Sequence, residues 1–192
     1  KRLLVYSLLC VALATGNALF WLHKWHEQGV ELCFADTMMT GVQPSFLLML
    51  LIPPTLGLVH QLKFILEQPF VICALDNRAR LARNLLAALL FIAFRAVMAV
   101  SIPSIALGAL LFRGGKPCTW ESGASYYAYM TGQTLITPVK TGSLIVWQAM
   151  TIWLTVLLVS ILFLSINLSC ESHQLGSILS WGVCLLALWM CS

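Results

Sequence analysis

Few side chains in this sequence could do chemistry, and the densest group of them is the stretch HKWHEQGVE. His23 and His26 are three residues apart, and Glu27 and Glu31 follow closely. On a helix, this spacing can bring imidazole and carboxylate ligands to one metal ion. The polar end of a membrane helix collects the same residue types without any metal. We therefore expect no metal site. His23 and His26 are the weak candidates for ligands if the chain does bind a metal ion.

The sequence lacks the motifs of several large enzyme classes. It contains no G-x-x-x-x-G-K-S/T phosphate-binding loop, no H-E-x-x-H zinc motif and no pair of C-x-x-C motifs. We therefore expect that the chain does not bind ATP through a P-loop. We also expect no catalytic residue and no cofactor in this chain.

The composition favours a membrane protein. The chain is 60% hydrophobic and only 9% charged, whereas a soluble domain carries roughly 25% charged residues to keep its surface in water. The outer surface of the fold is therefore predicted to face lipid, in a multi-pass protein of the cell membrane.

Five apolar runs have the length of a membrane span, which takes about 20 residues. They cover residues 3–22, 44–62, 85–112, 143–166 and 175–192. Because the runs are continuous and not alternating, they favour helices over a barrel. We expect one all-α transmembrane bundle over residues 1–192, with a sixth span missing if the chain is truncated.

Basic residues predict the orientation of the bundle, because short loops rich in Lys and Arg stay in the cytoplasm. Lys1 and Arg2 precede the first span. Four more basic residues lie between the second and third spans: Lys63, Arg78, Arg80 and Arg83. The N-terminus and residues 65–84 are therefore predicted to be cytoplasmic. Residues 23–43 and 113–142 become outer loops.

The cytoplasmic stretch ALDNRARLARNLL has the pattern of an amphipathic helix. Asp76, Arg80 and Arg83 fall on its polar side, whereas Arg78 projects from the apolar side and must snorkel or pair with Glu67. Two interpretations remain open. The arginines either mark the inner membrane face, or they dock a cytoplasmic partner.

Arg95 lies about ten residues inside the third predicted span. A central arginine adds at least ~2.5 kcal/mol to the free energy of insertion. On one interpretation it contacts an anionic or polar substrate or acts as a gate. The alternatives are that the third span begins later, or that Arg95 snorkels to the inner headgroups.

Three prolines interrupt the predicted spans. Pro53 and Pro54 lie in the second span and Pro103 lies in the third. Each removes a helical hydrogen bond and can kink its helix. The kinks are either hinges of a gate or simply part of the helix shape.

Two of the seven cysteines fall in the predicted outer loops. Cys33 lies in 23–43 and Cys118 lies in 113–142. An oxidising exterior would allow a disulfide between them. Two free thiols are the alternative.

The order of these features resembles the membrane subunit of ABC transporters of the ABC-2 type, particularly their small bacterial permeases. In that family an amphipathic coupling helix follows the second span, and the chain then re-enters the membrane. The segment EQPFVICALDNRARLARNLLAALL has this shape. The chain departs from the family in showing five spans instead of six and in its long 113–142 loop.

The resemblance implies a transport subunit that is not itself an enzyme. It implies docking on a separate cytoplasmic ATPase, which would hold ATP and Mg²⁺, and a dimer with an identical or different membrane subunit. It also implies a hydrophobic or amphipathic cargo such as a peptide, drug or lipid, with membrane lipids around the bundle and no nucleic acid. The docking residues would be Asp76, Arg78, Arg80 and Arg83.

Other functional classes remain open. One is an assembly subunit of a larger membrane complex, in which Arg95 pairs with an acid on a partner helix. Another is a lipid-modifying membrane enzyme, which would need acid, base or metal ligands clustered at one depth. A channel would need a polar stripe, for which Ser101 and Ser104 are candidates. A copurified ATPase favours the transporter, and activity without nucleotide favours the enzyme.

Overall fold

The computed structural model describes residues 2–66, 78–113, 118–134, 139–169 and 182 of the chain. Six α-helices and one π-helix account for most of these residues, and no strand is present among them. The elements are α1 (Arg2–Glu27), α2 (Phe34–Thr40), a π-helix (Phe46–Leu51), α3 (Ile52–Leu66), α4 (Arg78–Leu111), α5 (Tyr126–Thr131) and α6 (Thr141–Ser169).

Three of the helices are long and apolar enough to cross a membrane: Arg2–Glu27, Arg80–Leu111 and Thr141–Ile166. Large apolar side chains cover their outer faces, as Leu110 (74% exposed) and Leu158 (63% exposed) illustrate. Such a surface is unfavourable in water and favourable in lipid. The prediction of an all-helical fold is thus confirmed for the described residues, and three of its helices have the length and composition of membrane spans. The fifth predicted span, 175–192, lies outside the described ranges.

Helices α1 and α4 pack through small residues. Cys10, Ala14 and Ala18 form a buried stripe on α1 with a spacing of four. Cys10 and Ala14 share one core cluster with Ala93 and Ala96 of α4. Small side chains let two backbones approach closely in lipid, where van der Waals contact is a main source of helix association.

Residues 34–66 run along α4 in the opposite direction. Phe34 and Thr37 lie against Gly108, and Gly41 lies against Val100. Farther along, Ile52, Leu56 and Val59 pack with Leu89 and Ile92 of α4 and with two residues of α6, Phe163 and Leu164. The contacts therefore descend α4 from Gly108 to Leu89.

This descending segment is broken into pieces. Its apolar helical part, Phe46–Leu62, is about 25 Å long at ~1.5 Å per residue, which is less than the ~30 Å hydrocarbon core. The two turns of α2 lie above it, and residues 41–43 form the non-helical connection between the two parts. The sequence analysis had placed residues 34–40 in an outer loop, but the structure buries five of the seven between the long helices: Ala35, Asp36, Thr37, Met38 and Thr40.

Candidate functional site

Polar side chains gather where the descending segment breaks: Ser101, Ser104 and Gln148 are buried, and Asn17 is half-buried. Together with Gly41 we call them the polar cluster. Asn17 Nδ2 donates a hydrogen bond to the Thr40 carbonyl at 2.9 Å, which satisfies one of the free carbonyls at the end of α2. Gln148 of α6 is fully buried. Its Nε2 donates to Ser104 Oγ at 3.4 Å.

Gly41 is the closest point between the broken segment and α6. A Cβ at this position would clash with Gln148 Nε2 and would lie 3.0 Å from Val100 Cγ1. A side chain at position 41 would therefore displace the Gln148 amide from its contact with the backbone at the break.

The polar cluster is not fully hydrogen-bonded. Gln148 Oε1 and Ser101 Oγ are buried and have no partner among the described residues. A buried polar atom without a partner destabilises the fold by about 1–3 kcal/mol, and native structures contain few of them. Rotating the amide of Gln148 would not pair its oxygen, because the oxygen would then face Ser104 Oγ, whose proton is donated to the Val100 carbonyl. The cluster thus holds unused hydrogen-bonding capacity within the bundle.

The sequence analysis identified Ser101 and Ser104 but missed Gln148 and Gly41. A glutamine inside an otherwise apolar run was the available signal for Gln148. Gly41 carried little signal, because α2 resembled a polar loop.

Pro53 and Pro54 lie beside a helix irregularity, whereas Pro103 lies within a continuous helix. Pro53 and Pro54 fall in the first turn of α3, directly after the π-helix. Thr55 Oγ1 donates to the Leu51 carbonyl at 2.7 Å and so supplies a hydrogen bond at a place where the two prolines donate none. Pro103 lies inside α4, beside Ser104, whose Oγ donates to the Val100 carbonyl at 2.9 Å. The role of the three prolines as hinges stays a prediction.

Arg95 lies at the opposite end of the α1–α4 interface from the outer loops. Its Nη1 donates to Ser7 Oγ at 3.5 Å, and its guanidinium lies 5.1 Å from the ring centre of Phe91. Phe91 is one turn nearer the N-terminus of α4, so the side chain points toward the predicted inner face. Ser7 is only about 7 Å along α1 from Arg2 at ~1.5 Å per residue. Arg95 is therefore shallower than its place in the apolar run suggested.

The start of α4 projects beyond the first turn of α1. Ala88 of α4 lines one cavity together with Arg2 and Leu3 and is therefore level with the start of α1. From Ala88 back to Arg78, α4 extends about 15 Å beyond that level at ~1.5 Å per residue. Arg80 and Arg83 lie on this extension and are exposed. Asp76 lies outside the described residues, as does the side chain of Arg78. The arginine-bearing stretch and the span that follows it therefore form one continuous helix.

A carboxylate holds the outer loops together. Asp36 is fully buried, and one oxygen accepts a hydrogen bond from the Cys33 backbone N–H at 2.7 Å. The other oxygen accepts from Trp120 Nε1 at 2.7 Å. Burial raises the pKa of Asp36, and the two N–H donors counteract part of that effect. The sequence analysis did not single out this residue.

The two outer cysteines lie together beside Asp36. Cys33 and Cys118 belong to one cluster with Trp120, and both are free thiols in the structure. Burial is the largest cause that raises the pKa of Cys33, to about 12, and the nearby Asp36 charge adds to it. Burial also raises the pKa of Cys118. The disulfide stays a prediction for an oxidising exterior.

His23 and His26 lie in the last two turns of α1. His23 Nε2 lies 3.3 Å from Glu27 Oε1, and both side chains are largely exposed. Within the described part of the chain, no three His, Cys, Asp or Glu side chains come close enough to hold one ion.

The predicted site residues thus lie at separate levels of the bundle. Arg95 and the docking arginines are at one end, the cysteines are at the other, and the polar cluster lies between them. No family model matches the chain, and comparisons with curated proteins and with solved structures find no similar protein.

Proposed function

We propose that the chain is the membrane permease subunit of an ABC transporter that moves a hydrophobic or amphipathic cargo. The observation that carries this proposal is the break at residues 41–43, beside buried polar atoms of Ser101 and Gln148 that have no partner in the described residues. Irregular backbone at membrane depth is tolerated where it is buried in protein or lines a cavity. In many secondary transporters, discontinuous helices of this kind form the substrate site.

The polar cluster is suited to a switching element. Its free hydrogen-bonding groups lie where α2, α4 and α6 meet, so a small shift of α2 would change which groups are paired. In the proposed cycle the helices exchange between inward-facing and outward-facing arrangements. The polar groups of Gln148 and Ser101 would find partners in one arrangement and lose them in the other.

The energy source is proposed to be a separate cytoplasmic ATPase. Arg80 and Arg83 are exposed on the projecting start of α4, and their positive charge suits an acidic groove on a partner. Because α4 continues from these arginines to Pro103 and Ser104 without a break, a push on its start would reach the polar cluster. In this proposal, residues 65–77 would belong to the coupling segment. Residues 175–192 would be the fifth span. Pairing with a second membrane subunit would complete the pathway.

Charge reversal on the extension tests this proposal. We expect the double variant Arg80→Glu, Arg83→Glu to lose the copurified ATPase, or to uncouple ATP hydrolysis from transport. Arg113→Glu is the matched control, since it reverses an exposed charge at the other end of α4. If the double variant keeps a fully coupled ATPase, or if no ATPase copurifies with the native chain, the proposal is wrong.

A further inference from the structure

The structure assigns an anionic phospholipid to a groove between α1 and α4 that contains Arg95. The groove has a volume of about 590 Å³, and its walls are mostly apolar. Ser7 and Val11 line it from α1, and Arg95, Met98 and Ile102 are among the residues that line it from α4. We call it the Arg95 groove.

The guanidinium of Arg95 has few partners. It carries five N–H donors, and the structure gives it one hydrogen bond, to Ser7 Oγ at the long distance of 3.5 Å. The Phe91 ring covers one of its faces. A cation in apolar surroundings is unfavourable unless an anion neutralises it.

The described part of the chain supplies no such anion near Arg95. Its acidic side chains are Glu27, Glu31, Asp36 and Glu121, and all four belong to the outer end of the bundle. Ser7 offers Arg95 only a neutral hydroxyl oxygen as acceptor, and the proton of that hydroxyl is donated to the Leu3 carbonyl at 3.0 Å. The missing counter-charge must therefore come from outside these residues.

The groove has an apolar part and a cationic part, which suit the acyl chain and the phosphate of a phospholipid. The large exposed side chains Phe94, Met98 and Ile102 (42–55% exposed) offer an apolar surface to an acyl chain. Arg95 lies near the level of Ser7, close to the predicted inner headgroups, so its guanidinium can reach a phosphate with paired N–H donors. A second cavity of about 510 Å³ contains Arg2 and shares the Phe91 wall, which adds positive charge at the same end. The leaflet around the N-terminal end of α1 supplies such a lipid directly.

Native mass spectrometry of the purified full chain with defined lipids tests this assignment. We expect phosphatidylglycerol to be retained in preference to phosphatidylcholine, and Arg95→Gln to weaken that retention by about tenfold or more, since a charge-assisted contact contributes on the order of 1.5–3 kcal/mol. Arg113→Gln removes one charge from the other end of α4 and should leave retention unchanged. Met98→Trp narrows the groove without changing its charge and should also weaken retention.

Three results would overturn the assignment. The first is equal retention of the two lipids by the native chain. The second is unchanged selectivity in Arg95→Gln, which would indicate that another residue of the chain neutralises Arg95. The third is displacement of the lipid by inorganic phosphate at equal concentration, which would show that the groove contributes nothing. The assay needs no ATPase, so a negative result leaves the proposed transport function standing. Likewise, a negative result in the charge-reversal test of transport leaves the lipid assignment standing.

Discussion

The contact between α2 and α4 at Gly108 gives a sharp test of the broken segment. An alanine methyl group at Gly108 would lie 2.6 Å from Phe34 Cδ2 and 2.7 Å from Thr37 Oγ1. Real methyl groups do not approach carbon and oxygen this closely, and the Thr37 hydroxyl is held by its hydrogen bond to the Phe34 carbonyl at 2.7 Å. In Gly108→Ala, therefore, the side chains of Phe34 and Thr37 must be displaced, either by changing their conformations or by a shift of α2 away from α4.

Two opposing effects set the size of the change. Overpacking a well-packed contact destabilises a protein by about 1–3 kcal/mol. Replacing glycine by alanine inside a helix stabilises it by up to ~1 kcal/mol. We expect a net loss of about 1–2 kcal/mol in the free energy of unfolding. Gly57→Ala in α3 is the matched control, because no heavy atom lies within 4 Å of its added methyl group, and it should be neutral or slightly stabilising.

Unfolding of the purified chain by sodium dodecyl sulfate in mixed micelles measures both variants. The tryptophans Trp25 and Trp120 are buried, so their fluorescence should report the loss of structure. The unfolding midpoint of Gly108→Ala should fall below that of the native chain, whereas that of Gly57→Ala should not. A Gly108→Ala variant as stable as Gly57→Ala would refute the packing of α2 against α4.

Three further predictions concern the outer loops and the polar cluster. Trp120→Phe removes the donor to Asp36 and should lower the free energy of unfolding by about 1.5–3 kcal/mol in the same assay; an unchanged midpoint would contradict the buried hydrogen bond. In protein from intact cells, peptide mapping without reductant should find Cys33 linked to Cys118, and full alkylation of both would exclude the bond. Gln148→Leu should raise stability by about 1 kcal/mol, because an unpaired buried amide is removed, while transport falls; unimpaired transport would exclude a role for the polar cluster.

The long helices were predictable because the hydrophobic effect alone defines them. A run of apolar residues near 20 in length is long enough to span the lipid, so runs 3–22, 85–112 and 143–166 indicated α1, α4 and α6. The helices extend beyond these runs, to Glu27 at the end of α1 and to Arg78 at the start of α4. The end errors have a physical cause. The last turn of α1 carries the polar residues His23, Lys24, His26 and Glu27, which hydropathy excludes although the backbone hydrogen bonds continue through them.

The position of α2 could not be predicted, because it depends on tertiary contacts. The sequence FADTMMT is short and half polar, so neither length nor hydropathy marks it as a buried helix. It is buried because Gly108 leaves room for Phe34 and Thr37 on α4, and because Trp120, 84 residues away in sequence, supplies a donor for Asp36. The polar cluster was missed for the same reason, since Gly41 and Gln148 meet only in the folded bundle.

Thiol labelling of intact cells tests the central claim most directly, namely that the arginine-bearing start of α4 is on the cytoplasmic side of the membrane. Cysteine is introduced singly at Arg83 and at Gly123, both exposed in the structure, and the unmodified chain corrects for its native thiols. A membrane-impermeant maleimide should label Gly123→Cys in intact cells but should label Arg83→Cys only after permeabilisation. Labelling of Arg83→Cys in intact cells, with Gly123→Cys protected, would contradict the topology and the docking of a cytoplasmic ATPase with it.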